Sequence, residues 1–208
     1  MSEEAFKSWE NFLNPDKLKN NLIQSSIYLS SYEIFKSGTI DKLKDFFTSH
    51  WHMNENTGEL EGVPSASYKE KVLDLYPKDE FHACCLWFKN ILALDDDDMM
   101  DIAMVRKHRN EIAHELPKFI TGQGVSVSSK NLNSLISIQD KLDKWWIREI
   151  EIPTNPDFDA GSYDNIDWNN VFGSNTLLLS LLSTIFDGND AYLKDLYKIF
   201  VDKWNKTV

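Results

Sequence analysis

Residues 106–117 combine side chains that can bind a phosphate with side chains that can move a proton. The segment reads RKHRNEIAHELP and places Arg109 five residues before His114, with Asn110 directly after the arginine. A guanidinium binds a phosphate through two hydrogen bonds, and an imidazole gains and loses a proton near neutral pH. Metal-free RNA cleavage needs one group to manage the proton of the 2′-hydroxyl or the leaving oxygen. It needs another group to stabilise the charge that builds on phosphorus.

The helix that must hold these residues is predicted over residues 97–116, with Pro117 ending it. Its apolar seam recurs at spacings of three and four and consists of Ile102, Val105, Arg109, Ile112 and Leu116. A charge within an apolar seam is costly to desolvate unless it is paired, so Arg109 is expected to have a partner. The candidate is Glu33, the one formal charge in the stretch LIQSSIYLSSYEIF at residues 22–35.

A second line along the same helix carries Ala103, Arg106, Asn110, Ala113 and His114. Its alanines would let another helix approach closely, and Asn110 and His114 are surface neighbours at four-residue spacing. The remaining face is predicted to be solvated and holds Lys107, His108, Glu111, Glu115 and Lys118. These residues alone leave a structural interpretation open. In that interpretation Arg109 pairs with Glu33 in the core, and His114 bonds a carbonyl at the helix end.

The segment RNEIAHEL, residues 109–116, resembles the signature of the HEPN superfamily, named from higher eukaryotes and prokaryotes nucleotide-binding domains. That signature is an arginine, four to six residues and then a histidine, near the end of a helix in an all-α bundle. In this chain the gap is four residues, and an asparagine follows the arginine, as it often does in the family. Helical spacing throughout the sequence predicts an all-α fold with a C-terminal helical extension, and the resemblance implies that its core is a HEPN-like antiparallel helical bundle. The extension has no counterpart in the minimal HEPN domain.

The resemblance also implies an activity. Many members are metal-independent endoribonucleases of prokaryotic toxin–antitoxin, abortive-infection and related defence systems, and their products would carry a 2′,3′-cyclic phosphate. Carried over to this chain, Arg109 would contact the scissile phosphate, His114 would handle protons and Asn110 would orient or bind the RNA backbone. The nearby cations Arg106 and Lys107 are expected to bind the substrate. Glu33 is expected to support the site.

The partners expected from the resemblance are RNA, a second copy of the chain and an antitoxin or regulatory protein. The homodimer would form through the 97–116 helix, so that both Arg–His pairs build one site, and no metal or cofactor is expected. Members silenced by a nucleotidyltransferase often carry a tyrosine two residues after the histidine, but Leu116 occupies that position here. Some members lack nuclease activity, so an inactive HEPN-fold interaction or RNA/nucleotide-binding module is the alternative function. The third possibility is a small helical scaffold in which the motif is purely structural.

Composition bounds the class of protein. The chain has 208 residues, 42% of them hydrophobic, and a formal net charge of -11. Such a protein repels nucleic acid and acidic membranes as a whole, so RNA binding requires a local patch. The sequence contains neither a signal peptide nor an apolar run long enough to span a bilayer, so a soluble, cytoplasmic protein is expected.

Two units are predicted, a helical bundle over residues 1–150 and an acidic linker plus two helices over residues 151–208, packed on the same domain. Helices are predicted at about residues 16–36, 40–49, 65–75, 79–94, 97–116, 129–149, 174–186 and 189–204, with a loop at 52–65. The first of them is predicted to be a central helix packed on more than one side, with Gly38 at its C-terminal cap.

Other residues of chemical interest have simpler interpretations. Four aspartates at 95–98 could bind a metal, but acids also suit a helix N-terminus. The adjacent cysteines at 84–85 lack zinc-ligand spacing and are predicted to be reduced core thiols. The histidines on either side of Trp51 are predicted to lie in a surface loop rather than a metal site. The tryptophans at 145–146 are predicted to be core anchors rather than platforms for base stacking.

Overall fold

The fold is known from a computed structural model that describes residues 6, 9–10, 12–121, 126–158, 163, 165–189 and 191–204. Helices dominate this part of the chain, so the predicted all-α class is confirmed at that level. The helices are α1 (Pro15–Phe46), α2 (Ala66–Lys71), α3 (Glu80–Asn90), α4 (Asp96–His114), α5 (Leu116–Thr121), α6 (Ser129–Trp146), α7 (Ser174–Phe186) and α8 (Ala191–Trp204). The strands are β1 (Thr48–Met53) and β2 (Leu60–Pro64). Short helical turns lie at Leu73–Leu75, Ile147–Glu151, Ile152–Thr154 and Trp168–Asn170.

Helix α1 is the centre of the bundle. Asn14 caps it, because its side-chain oxygen accepts hydrogen bonds from two backbone N–H groups of the first turn, each at 3.1 Å. Pro15 sits in that turn, where its missing N–H removes no helical bond. The helix packs against α3, α4, α5, α6 and α7. The prediction of a central helix packed on several sides is therefore confirmed.

The prediction of two helices in this region, at residues 16–36 and 40–49 with Gly38 as a cap between them, is wrong. Helix α1 continues without a break through Gly38. The side chain of Asn175, from α7, stands where a Cβ atom at residue 38 would lie. Glycine is therefore needed there for the close approach of α7, not for a turn of the backbone.

The loop predicted at residues 52–65 is wrong over half of its length, because residues 52–53 and 60–64 are strand. Strands β1 and β2 form an antiparallel hairpin, in which Trp51 lies opposite Gly62 and Met53 opposite Leu60. Both strands are largely exposed, so they carry no buried apolar face that would predict a strand. The hairpin extends from the end of α1, and β2 contacts that helix.

Helices α3 and α4 begin on aspartate caps. Asp79 accepts a hydrogen bond from the N–H of His82 at 3.0 Å and starts α3. That helix ends at Asn90, four residues before the predicted end at residue 94. Leu92 has a left-handed backbone with φ of 63°, and a right-handed helix cannot continue through such a residue. Asp95 and Asp98 form a reciprocal capping box at the start of α4.

The C-terminal extension is docked through a buried carboxylate. Asp143, in α6, accepts hydrogen bonds from Lys42 Nζ at 2.7 Å, Gln139 Nε2 at 3.0 Å and the Thr176 hydroxyl at 2.7 Å. It also accepts the Thr176 backbone N–H at 3.3 Å, in the first turn of α7. One side chain therefore joins α1, α6 and α7. Helix α7 packs against both of the others, and α8 contacts α7.

The core lies where α1, α3, α4, α6 and α7 meet. Its largest fully buried side chains include Tyr28, Phe35, Phe88, Ile112, Leu135 and Leu179. Their burial fixes which face of α4 turns inward and which remains at the surface. None of the helices in the described ranges has the length and apolar character needed to cross a bilayer.

Candidate functional site

The candidate site lies at the C-terminal end of α4, where the chain bends. Pro117 has no N–H and cannot bond the carbonyl four residues earlier, so the helix cannot continue through it. The last regular bond is that of the Glu115 N–H to the Glu111 carbonyl, at 2.8 Å. Helix α4 ends at His114, two residues before the predicted end, and α5 starts at Leu116 with Pro117 in its first turn. The bend leaves His114 on the last turn of the helix.

His114 is exposed and lies in a shallow groove of about 530 Å³ along the outer face of α4. The groove is also lined by Ala103, Arg106, Lys107, Asn110 and Glu111. No hydrogen bond or ion pair joins the His114 ring to another residue in the described part of the chain. The interpretation in which His114 caps the helix end by bonding a carbonyl is therefore wrong. Its ring is accessible to a ligand from solvent.

Arg109 makes the predicted contact with Glu33, but not in the core. Its Nη2 and Nε atoms both donate to one Glu33 oxygen, at 2.6 Å and 3.2 Å. The guanidinium also lies over the Tyr32 ring, 5.6 Å from its centroid. The Arg109 side chain is 32% exposed and that of Glu33 is 48% exposed. An exposed pair of this kind stabilises a fold by only about 0–1 kcal/mol, so a phosphate can compete for the arginine.

Asn110 connects this ion pair with the groove. Its side-chain oxygen accepts a hydrogen bond from Arg109 Nη1 at 3.2 Å, and its side chain also lines the groove beside His114. Arg109 itself does not line the groove, because its guanidinium turns towards α1. The fold thus brings Asn110 and His114 together and places Arg109 beside them, with its charge directed to Glu33.

Arg106 and Lys107 are on the predicted side of the helix and line the groove. Arg106 Nη1 forms an ion pair with Asp79 at 2.5 Å. Partial burial would raise the pKa of Asp79, but the His82 N–H and Arg106 outweigh that effect and lower it, so the carboxylate stays charged. Within the described residues, the ion pair of Lys107 is a long contact of 4.0 Å with Glu111, and the Lys107 side chain is largely exposed. Lys107 is thus the groove cation that is least engaged by an acid.

His108 was predicted to face solvent with Lys107 and Glu111, and this prediction is wrong. Its side chain is 13% exposed and packs edge-on against the rings of Tyr28 and Phe119. The ring Nε2 accepts the backbone N–H of Ser128 at 3.0 Å, which leaves Nδ1 to donate to Glu111 at 3.2 Å. Two histidines six residues apart in one helix therefore have opposite environments. The partners of His108 lie mainly outside α4, so helical periodicity did not reveal them.

The aspartates at 95–98 have the structural role predicted for them. Asp95 and Asp98 cap α4, and Lys141 from α6 forms ion pairs with both. The hydrogen bonds from Lys141 and from the Asp98 N–H lower the pKa of Asp95 to about 2. No group of three or more metal-binding side chains is found within the residues that the structure describes.

The remaining candidates also prove to be structural. Cys84 and Cys85 are buried free thiols, as predicted, and burial raises the pKa of Cys84 to about 11. Trp146 is buried against Phe46 and Phe88, which confirms it as a core anchor. The histidines on either side of Trp51 lie on strand β1, not in a loop.

Compared with protein-family models, with curated proteins and with solved structures, the chain matches none of them. The resemblance of residues 109–116 to the HEPN signature therefore stays a prediction that rests on the motif. Any functional conclusion rests on that motif and on the geometry around His114.

Proposed function

We propose that this chain is a metal-independent endoribonuclease of the HEPN type, from a prokaryotic toxin–antitoxin, abortive-infection or related defence system. It acts as a homodimer in which Arg109, Asn110 and His114 of both copies form one site. The observation that carries the proposal is the environment of His114. Its ring is exposed, makes no bond to another described residue and lies in a groove with Asn110 and the cations Arg106 and Lys107. A histidine held for stability would instead resemble His108.

In the proposed reaction the 2′-oxygen of a ribose attacks the adjacent phosphorus and the bond to the 5′-oxygen breaks. The 2′-hydroxyl loses its proton and the leaving 5′-oxygen gains one, so the products carry a 2′,3′-cyclic phosphate and a 5′-hydroxyl. The His114 rings supply this proton transfer, which contributes about 10²–10⁴-fold to the rate. Arg109 exchanges Glu33 for the phosphate and stabilises the charge on its oxygens.

The outer face of α4 supports the proposed dimer. Met100 and Met104 are 58% and 47% exposed, and Ala103 and Ala113 are exposed beside the groove. Small side chains permit close helix contact, and methionines adapt to irregular surfaces. If two such faces cross near their C-terminal ends, the two His114 side chains lie at one cleft, because His114 is the last residue of α4. Arg106 and Lys107 then lie beside the same cleft, where Glu111 and Glu115 also line the groove.

A second candidate function is an inactive interaction or RNA-binding module of the same fold. The observation that favours it is the orientation of Arg109, whose guanidinium is bound to Glu33 and does not line the groove. In such a module the exposed face of α4 would bind a partner or a second copy without chemistry at His114.

Cleavage assays with matched variants separate these functions. The purified protein is incubated with a labelled mixed RNA pool in excess EDTA, beside His114→Ala, Arg109→Ala and Lys118→Ala. Lys118 lies in α5 and pairs with Glu115, so its variant controls for loss of a surface charge. We expect the wild type and Lys118→Ala to cleave, and the other two to cleave at least 100-fold more slowly. Equal cleavage by folded His114→Ala protein would exclude His114 from the reaction.

A further inference from the structure

A second depression opens beside the groove, between α4 and the chain that enters α3. It encloses about 430 Å³ and has an apolar floor formed by Phe81, Met99 and Ile102. Phe81 and Ile102 are 2% and 5% exposed, so these two side chains belong to the core, and Met99 packs against it. Nothing in the proposed cleavage reaction uses this depression.

The rim of the depression carries rings and cations. Tyr76 is 41% exposed, and its ring meets that of His82 edge-on, with centroids 4.7 Å apart. Lys78 stands on the same rim and has no acidic partner within ion-pair distance in the described residues. An apolar floor with an aromatic wall and a nearby cation suits a flat aromatic group that carries a negative charge. A nucleobase with its phosphate has this chemistry.

The charges of the rim are arranged to tolerate a phosphate. Asp79 is the one acid lining the depression, and it is engaged by Arg106 at 2.5 Å and by the N–H of His82 at 3.0 Å. Arg106 and Lys78 therefore outnumber it, so the rim has a local excess of positive charge. The ion pair also fixes the Arg106 guanidinium at the rim.

The depression adjoins the groove that holds His114. Ala103 and Arg106 line both of them. Arg106 and His114 are eight residues apart on one helix, which at 1.5 Å per residue is about 12 Å along its axis. A strand of RNA whose phosphate lies at His114 can therefore reach the depression within a few nucleotides.

We propose that this depression binds one unpaired base of the RNA substrate, which stacks on Tyr76 while Lys78 and Arg106 hold the neighbouring phosphate. The inference rests on the proposed function and names its substrate class. A base can enter the depression only when it is not stacked and paired in a duplex, so the substrate is single-stranded RNA. The choice of cleavage site then depends on the base a few nucleotides from the cut.

Binding of an oligonucleotide that cannot be cleaved tests this inference apart from catalysis. The probe is a fluorescein-labelled 2′-O-methyl RNA of ten nucleotides, single-stranded or annealed to its complement, and anisotropy is measured at low salt. The proteins are the wild type, Tyr76→Ala, Tyr76→Phe, Lys78→Ala and His114→Ala. Tyr76→Phe keeps the ring and is the matched control.

We expect the wild type to prefer the single strand, Tyr76→Ala to raise Kd by about 5- to 100-fold and Tyr76→Phe to change it less than twofold. Lys78→Ala should raise Kd and flatten its dependence on salt. Equal affinity of the wild type and Tyr76→Ala, or no binding at all, would overturn the inference. If binding depends on Tyr76 but the wild type does not cleave RNA, the depression is supported as a base-binding site and the nuclease is rejected. If the wild type cleaves RNA but Tyr76→Ala binds the oligonucleotide as tightly as the wild type, the nuclease is supported and the base-binding depression is rejected.

Discussion

At the scale of single residues, His108 and His114 lie on the same helix but differ in the burial and the bonding partners of their rings. The His108 ring packs on Tyr28 and Phe119 and bonds the Ser128 backbone, whereas the His114 ring is exposed and has no partner in the described residues. A sequence pattern cannot separate the two, because the contacts of His108 come from the segments before and after α4. Each histidine is therefore the natural control for the other.

His108→Ala should destabilise the fold, and His114→Ala should not. The first change removes buried ring contacts and leaves the Ser128 N–H without its acceptor, at a cost of about 2 kcal/mol in the free energy of unfolding. The second removes an exposed side chain and should change that free energy by less than about 0.5 kcal/mol. Urea unfolding followed by circular dichroism measures both. A large loss of stability in His114→Ala would favour a structural role for the motif.

At the scale of elements, caps and turn residues were more predictable than helix continuity. Helix α4 begins at the acids of residues 95–98, as predicted, and α7 has the bounds expected from its apolar run. The rules failed at Gly38, because its role is set by the distant Asn175 of α7. They also failed in the hairpin, where exposed strands lack a buried face.

The sequence predicted the contact between Arg109 and Glu33, but not where that ion pair lies. Spacing along α4 indicated that Arg109 needs a partner and that Glu33 could supply it. Whether that pair is buried depends on how closely α1 and α4 pack, which the sequence of one helix does not encode. The structure leaves both side chains partly exposed. It also directs the guanidinium away from the groove.

The outer face of α4 should be the dimer interface, and Ala113→Trp tests it. A large ring on this exposed face would hold two α4 helices apart, so the variant should sediment as a monomer and cleave RNA at least tenfold more slowly. Ser137→Trp, at an exposed position of α6, is the matched control and should remain dimeric. Sedimentation velocity at several concentrations measures the association. A monomeric wild type with full activity would contradict a site shared between two copies.

At the scale of the whole molecule, the extension is held by the buried network around Asp143. Its side chain is 4% exposed and is paired with Lys42, which is 23% exposed. Breaking such a pair leaves a partly buried charge and costs about 3 kcal/mol. Asp143→Ala should lose roughly this free energy and release α7, because it removes the acceptor for the Thr176 N–H and hydroxyl.

Asp140→Ala is the control for that prediction, since Asp140 lies three residues earlier in α6 and, among the described residues, forms its ion pair with Lys144 of the same helix. Its loss should cost about 0.5 kcal/mol. Hydrogen exchange should reveal faster exchange in residues 174–186 for Asp143→Ala alone. If the two variants unfold alike, the Asp143 network is not what docks the extension.

The most direct test of the central claim is the cleavage of a DNA oligonucleotide that contains a single ribonucleotide. Only one 2′-hydroxyl is then able to attack phosphorus, and excess EDTA removes divalent metal. We expect wild-type protein to cut once, directly after the ribonucleotide, and mass spectrometry to find a 2′,3′-cyclic phosphate on one product and a 5′-hydroxyl on the other. His114→Ala should leave the oligonucleotide intact. Cutting of an all-deoxy control, products with a 5′-phosphate, or no cutting by the wild-type protein would contradict the account.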